Sequence, residues 1–125
     1  MPRRTILYAE DHATVRLAVR DRLELEGWTV EACADGGSAL DAMLGGASYD
    51  LLLFDNELPG LSGLELTARA RALAHRRETP VVIISASEYE QEARRAGADL
   101  FLRKPDDITR IAERIALLLQ HRGGA

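Results

Sequence analysis

Five short apolar runs alternate with stretches of helical period, and this alternation constrains the fold more than any other feature of the chain. The runs are residues 6–9, 28–33, 51–54, 81–84 and 100–102. Between them apolar residues recur at three- and four-residue spacing, the mark of one buried helix face. Val15, Ala18, Val19 and Leu23 form the first such stripe, and Leu40, Met43 and Leu44 the second. Leu66, Ala70 and Leu73 form the third, and Tyr89, Ala93 and Ala96 a short fourth. Ile108, Ile111, Ala112, Ile115 and Leu119 form the clearest. Ser62 with Glu65 three residues on has capping-box spacing. Asp106-Asp107 precede the last stripe, where a helix dipole favours anions. Gly27, Gly45-Gly46 and Gly97 fall where helices should stop. The order is βαβαβαβαβα, which implies parallel strands, right-handed crossovers and helices on both faces. The run 51–54 is wholly apolar, as befits a central strand covered on both sides.

A length of 125 residues fits a single domain over 1–125, with a core at about 4–120 and a flexible tail at 121–125. The net charge is −4 and no basic stripe is present, which argues against direct nucleic-acid binding. No apolar run reaches transmembrane length, and Met1-Pro2-Arg3-Arg4 leads into no long apolar region of the kind a signal peptide needs. Cys33 is the one cysteine, so no intramolecular disulfide can form. A cytoplasmic protein without membrane contact is the expectation.

The chemistry is expected where the strands stop. In an open parallel sheet the carboxyl ends converge on one crevice, and ligands bind there. Asp55 ends the run 51–54 and leads into Asn56-Glu57-Leu58-Pro59-Gly60. Glu10-Asp11 end the first run, Ser85 ends the fourth, and Lys104 follows the fifth. Taken singly, each has a plainer explanation. Asp55 could be a turn residue, Glu10-Asp11 helix caps, Ser85 structural, Lys104 a solvated charge and Phe101 a core ring. Together they place three carboxylates, a hydroxyl and a lysine at one rim, which favours a divalent metal beside a carboxylate that receives a phosphoryl group. Phosphoryl transfer is mostly positioning plus charge stabilisation. Mg²⁺ is held by one or two carboxylates plus phosphate oxygens and keeps several waters. A lysine supplies charge from the other side, and a hydroxyl can donate to a phosphoryl oxygen.

The segments LYAEDHATVR, YDLLLFDNELPGLSGLEL, PVVIISAS and AGADLFLRKP, in this order, resemble the receiver domain of two-component response regulators, chemotaxis regulators among them. The resemblance spans about residues 6–119. It implies a flavodoxin-like, doubly wound α/β fold: a five-stranded parallel sheet of order 2-1-3-4-5 with five helices. It implies that Asp55 is the phosphoacceptor and that Glu10 and Asp11 are the acidic pair that helps hold Mg²⁺, with Mn²⁺ as a substitute. Glu57 falls where the family gives a main-chain carbonyl to the metal. Ser85 falls at the switch hydroxyl, Lys104 at the phosphoryl-contacting lysine and Phe101 at the switch aromatic. The Lys104–Pro105 bond falls where the family commonly has a cis peptide. The implied donor is a sensor histidine kinase or histidine phosphotransfer protein. The implied output is binding of a downstream protein through the face of helix 4, strand 5 and helix 5. Such a module is not a conventional enzyme, although it assists its own phosphorylation and dephosphorylation.

Three departures stand out. The stretch from Ser85 to Lys104 is about three residues short of the chemotaxis regulator, nearly one turn at about 3.6 residues per turn, which predicts a shortened fourth helix. Phe101 lacks a hydroxyl. Glu57 adds a carboxylate beside the site, where it could meet the metal's water shell or hinder hydrolytic water. The competing readings are a degenerate receiver used as a scaffold and an enzyme of flavodoxin-like fold. Flavin binding wants a Ser/Thr/Gly-rich loop, but Glu10-Asp11-His12-Ala13-Thr14 would repel phosphate without a metal. An aspartyl phosphatase wants a second acid two residues after its nucleophile, and Glu57 offers one only superficially.

Overall fold

A computed structural model describes residues 3–123, with side chains as far as residue 121. The elements run β1 (Thr5–Ala9), α1 (Ala13–Glu24), β2 (Thr29–Cys33), α2 (Gly36–Leu44), β3 (Leu51–Asp55), α3 (Gly63–Ala72), β4 (Val81–Ser85), α4 (Glu90–Ala96), β5 (Leu100–Arg103) and α5 (Ile111–Gly123). The strands form one parallel sheet in the order β2-β1-β3-β4-β5. This is the doubly wound, flavodoxin-like arrangement expected from the alternation.

Side chains alternate between the two faces of a strand. Ile6 and Tyr8 therefore join Val19, Leu23, Ile111, Ile115 and Leu119 beneath α1 and α5. Leu7 and Ala9 join Ala39, Met43, Leu66, Ala70 and Ala93 beneath α2, α3 and α4. Both faces being covered, β3 and β4 are buried along their whole length. The register pairs Asp55 with Ile84 and Ser85 with Arg103, so the ends of β3, β4 and β5 reach one rim.

Helix α3 positions that rim. Ser62 Oγ accepts the Glu65 N–H at 3.1 Å, and Glu65 Oε1 accepts the Ser62 N–H at 3.1 Å, completing the expected capping box. Gly63 opens the helix hard against the end of β3. A Cβ there would lie 2.9 Å from the Asp55 carbonyl oxygen and 3.1 Å from the Asn56 Cα. Asn56 Oδ1 clamps the same helix start by accepting the Leu64 N–H at 3.0 Å.

Helix α4 has seven residues, with Tyr89 at its N-cap, and ends at Gly97 in the left-handed region. Arg71 of α3 holds that end, donating from Nε and Nη2 to the Gly97 carbonyl at 3.0 and 2.8 Å. The start of α5 differs from the expectation. Residues Ile108–Arg110 form a 3-10 turn, and the α-helix begins at Ile111. Asp107 does not cap it, because its carboxylate turns back to accept the Arg103 N–H of β5 at 2.7 Å. The Lys104–Pro105 peptide is cis. Helix α5 continues to Gly123, while residues 124–125 of the expected tail lie outside the described residues.

The tight seat of Gly63 makes it the test of this packing. Gly63→Ala should cost about 1–3 kcal/mol, since added volume against backbone must push α3 or β3 aside. Gly46→Ala, where a Cβ meets nothing within 4 Å, should change little. Urea denaturation of both variants measures the difference, and equal midpoints would show that α3 yields freely.

Candidate functional site: an acidic rim with one lysine

The site is built on three strand ends. Asp55 closes β3 and is 2 % exposed, Glu10 follows β1 and is fully buried, and Asp11 beside it is exposed. Their carboxylate oxygens lie within 4.8 Å of one another. Lys104 reaches in from the end of β5. Its Nζ donates to Glu10 Oε1 at 2.8 Å and stands 3.3 Å from Asp55 Oδ2. Glu10 Oε2 accepts the His12 N–H at 3.2 Å, and Asp55 Oδ1 accepts the Glu57 N–H at 3.2 Å. Lys104 is thus bonded to Glu10 at closer range than to Asp55, and both Glu10 oxygens have partners.

Charge shapes this cluster. Burial, and then the negative charge of Glu10, push the Asp55 carboxyl up to about 7. The Lys104 ammonium is held above its ordinary value. Burial alone would lower it, but the hydrogen bond to Glu10 and the charge of Asp55 outweigh that penalty. One lysine faces three carboxylates, so the donor set is all oxygen and short of positive charge. That chemistry fits a hard divalent cation.

Ser85 is fully buried at the end of β4. Its hydroxyl donates to Glu57 Oε2 at 2.6 Å and accepts the Ser87 N–H at 3.0 Å. Glu57 Oε1 accepts the Ala86 N–H at 3.0 Å. The Glu57 side chain is therefore spent on the β4–α4 loop. A phosphatase-like second acid would have to leave those donors first. Phe101 is already 9 % exposed and packs in the cluster beneath α2, α3 and α4.

The sequence reading did not find two supporting groups. Arg16 of α1 donates from Nη1 to the Glu10 carbonyl at 2.8 Å and the Asp11 carbonyl at 3.4 Å, bracing the acidic loop. Its place one turn after that loop was the available sign. The Tyr8 hydroxyl is buried without a hydrogen-bond partner among the described residues, and burial, followed by Glu10 and Asp55, raises its pKa. Nothing in the sequence marked it, since its ring reads as core.

Comparison with known proteins agrees with this geometry. Residues 6–116 match the model of the response regulator receiver domain family. The chemotaxis protein CheY of Pseudomonas aeruginosa is 29% identical over 122 residues, covering 95% of this chain and 98% of CheY. A CheY-like receiver domain from Methanospirillum hungatei superposes with a TM-score of 0.89 at 26% identity, covering 98% of each chain. The receiver domain of the sensor histidine kinase PA1611 from Pseudomonas aeruginosa, with a magnesium ion coordinated in its active-site cleft, gives 0.83 at 26% identity, covering 99% of this chain and all of that one. The chain belongs to the receiver domains of two-component response regulators. Domains of this family are phosphorylated by histidine kinases and signal to downstream effectors. The chain spans about half the length of several other curated relatives it matches. Among the described residues no helix is long and apolar enough to cross a membrane.

The raised Asp55 carboxyl carries a stability consequence. Between the ordinary carboxylate range and about pH 7, the folded chain keeps a proton that the unfolded chain has released. Stability of the metal-free protein should therefore fall as pH rises through that window, and the loss is complete above it. Asp55→Asn removes the buried charge and should be more stable above pH 7, by on the order of 2 kcal/mol. Towards about pH 4, where folded and unfolded chains both hold the Asp55 proton, the two proteins should converge. Urea midpoints across about pH 4–8 in chelator, which brackets the shift, check this, and parallel profiles would refute it.

Proposed function

We propose that the chain is a phosphoacceptor whose Asp55 takes a phosphoryl group from the phosphohistidine of a sensor histidine kinase or histidine phosphotransfer protein. An Asp55 oxygen attacks phosphorus, an acyl phosphate forms, and the donor's P–N bond breaks with its electron pair left on the imidazole nitrogen. The observation that carries this reading is the buried Asp55 carboxylate, 3.3 Å from Lys104 and clustered with Glu10 and Asp11.

Asp11, Asp55 and the Glu57 main-chain carbonyl are the proposed holders of Mg²⁺ or Mn²⁺, with Glu10 helping through water. Such an ion, when bound, offsets the repulsion between the carboxylates and the phosphoryl oxygens. Glu10 supports it as an orienting group, because its own oxygens are held by Lys104 and the His12 N–H. Lys104 stands where it can stabilise charge on the phosphoryl group without moving far. Ser85 becomes a donor to a phosphoryl oxygen after transfer, which would draw on the β4–α4 loop and on Phe101 behind it. The partner face is then α4, β5 and α5, and the output is a change in affinity for a downstream protein. The same groups assist the later hydrolysis of the acyl phosphate.

Incubation with Mg²⁺ and acetyl phosphate should add the mass of one phosphoryl group to the wild type and none to Asp55→Asn. A gain in the variant equal to the wild type's would move the acceptor elsewhere. Calorimetric titration should show that Asp11→Ala weakens Mg²⁺ binding by about tenfold or more. Unaltered affinity would remove Asp11 from the ligand set. Ser85→Ala should still gain the phosphoryl group but lose most of the amide-shift changes in α4 and β5 that follow it. The same shifts in that variant would show that the signal leaves the site by another route.

A further inference from the structure

The Glu57 side chain has no role in the reading above, yet it makes the shortest hydrogen bond at the rim. Its carboxylate accepts from the Ser85 hydroxyl at 2.6 Å and from the Ala86 N–H at 3.0 Å. Both donors belong to the end of β4, the strand that pairs with Asp55 through Ile84. The Glu57 N–H, meanwhile, donates to Asp55 Oδ1 at 3.2 Å. A single residue thus links the acceptor carboxylate through its backbone and the β4–α4 loop through its side chain.

A hydroxyl carries one proton and a backbone amide carries one. The Ser85 proton points at Glu57, and the hydroxyl oxygen already accepts the Ser87 N–H. Neither Ser85 nor Ala86 can donate fully to a second anion while Glu57 stays in place. The two bonds are charge-assisted, the stronger class. The other side-chain ties on this loop come from Arg103, whose Nη2 donates to the Ala86 carbonyl at 3.3 Å. Arg103 Nη1 pairs with Glu88 Oε2 at 2.8 Å, but the two side chains are 42% and 67% exposed, and pairs so exposed contribute little. Glu57 itself is an exposed residue, so its carboxylate can swing into water when displaced.

We propose that the Glu57 carboxylate is an internal competitor of the phosphoryl group: it holds the Ser85 and Ala86 donors until a phosphoryl group on Asp55 displaces it. This rests on the phosphoacceptor reading of Asp55 and Ser85. The acceptor's apparent affinity for a phosphoryl group is then its intrinsic affinity multiplied by the fraction of molecules in which the latch is open. Opening the latch frees the loop, so phosphorylation and release of the β4–α4 loop become one event.

Two measurements test this. The first uses the metal-free, unphosphorylated protein. Hydrogen exchange at the Ala86 amide should quicken about tenfold or more in Glu57→Ala, and by less in Glu57→Gln, whose neutral amide oxygen still accepts a bond. Unchanged exchange in Glu57→Ala overturns the latch whatever the phosphorylation result. The second titrates the Mg²⁺-loaded protein with beryllofluoride, a phosphoryl analogue that binds reversibly, followed by fluorine NMR. Glu57→Ala should bind it about tenfold more tightly, corresponding to about 1.4 kcal/mol, with Glu57→Gln between. In a Ser85→Ala background the gain should shrink by half or more. A gain of the same size in that background would show simple charge repulsion at the entrance and overturn the competition. Weaker binding by Glu57→Ala would also overturn it, because Glu57 would then be preparing the donors and not withholding them. The Asp55 reading is judged separately. If wild type gains phosphoryl mass and Asp55→Asn gains none, while Glu57→Ala leaves Ala86 exchange and beryllofluoride affinity unchanged, the phosphoacceptor stands and the competitor falls. If acetyl phosphate adds no mass to any of them, both fall.

Discussion

Two carboxylates buried side by side, with a single ammonium between them, set the terms for the rest of this structure. Glu10 and Asp55 are 0% and 2% exposed, and Lys104 touches both. Burial of like charges is costly unless each oxygen finds a donor. The fold meets that demand with backbone: the His12 N–H serves Glu10 and the Glu57 N–H serves Asp55. One ammonium facing three carboxylates leaves the cluster short of positive charge, and burial, then Glu10, keeps the Asp55 carboxyl raised. In the proposed function that shortage is the asset. A site already neutral would have little to gain from a cation or from a group that brings one.

Holding such a cluster requires strands that do not yield. The hydrophobic runs of β3 and β4 are buried throughout and lie at the middle of a five-stranded sheet. Gly63 and Asn56 then press α3 onto the end of β3. Arg16 ties α1 to the carbonyls of Glu10 and Asp11. The acidic rim is therefore clamped from both faces of the sheet, while the β4–α4 loop beside it is held by side chains that can let go. Backbone clamps and side-chain ties are divided between neighbouring strand ends.

What was legible in the sequence follows the same division. The strands, their order of alternation and the Ser62–Glu65 cap could be read because hydrophobic period and capping are local properties. Asp55, Glu10, Asp11, Ser85 and Lys104 could be placed at one rim because strand ends in a parallel sheet must converge. The start of α5 could not, because Asp107 spends its carboxylate on the Arg103 N–H, a bond that depends on how the chain turns after β5. Glu57 was read for its main-chain carbonyl, and the destination of its carboxylate was missed. That destination is 28 residues away at Ser85, and no local pattern encodes it. Arg16 was missed for a related reason. An arginine on the first turns of a surface helix is ordinary until the backbone carbonyls it reaches are known.

The short α4 sharpens the consequence of this arrangement. A helix of seven residues has almost no stability of its own and exists by virtue of what holds its ends. Its C-terminal end is fixed by Arg71, which bonds the Gly97 carbonyl twice and pairs with Asp99 at 3.0 Å. Ala93, fully buried, anchors its middle. Its N-terminal approach is held by Glu57 at Ser85 and Ala86, and by Arg103 at Glu88 and the Ala86 carbonyl. The firm tie and the releasable tie are thus at opposite ends of one element. In the proposed release, the element would pivot about Gly97 or unwind from its first turn. Both movements displace the surface next to β5 and leave α3 and the acidic rim in place. A full-length helix would resist either motion with its own hydrogen bonds. In the proposed switch, so short a helix lowers the work needed to move this face, and it makes the proposed hold of Glu57 on the loop correspondingly more decisive.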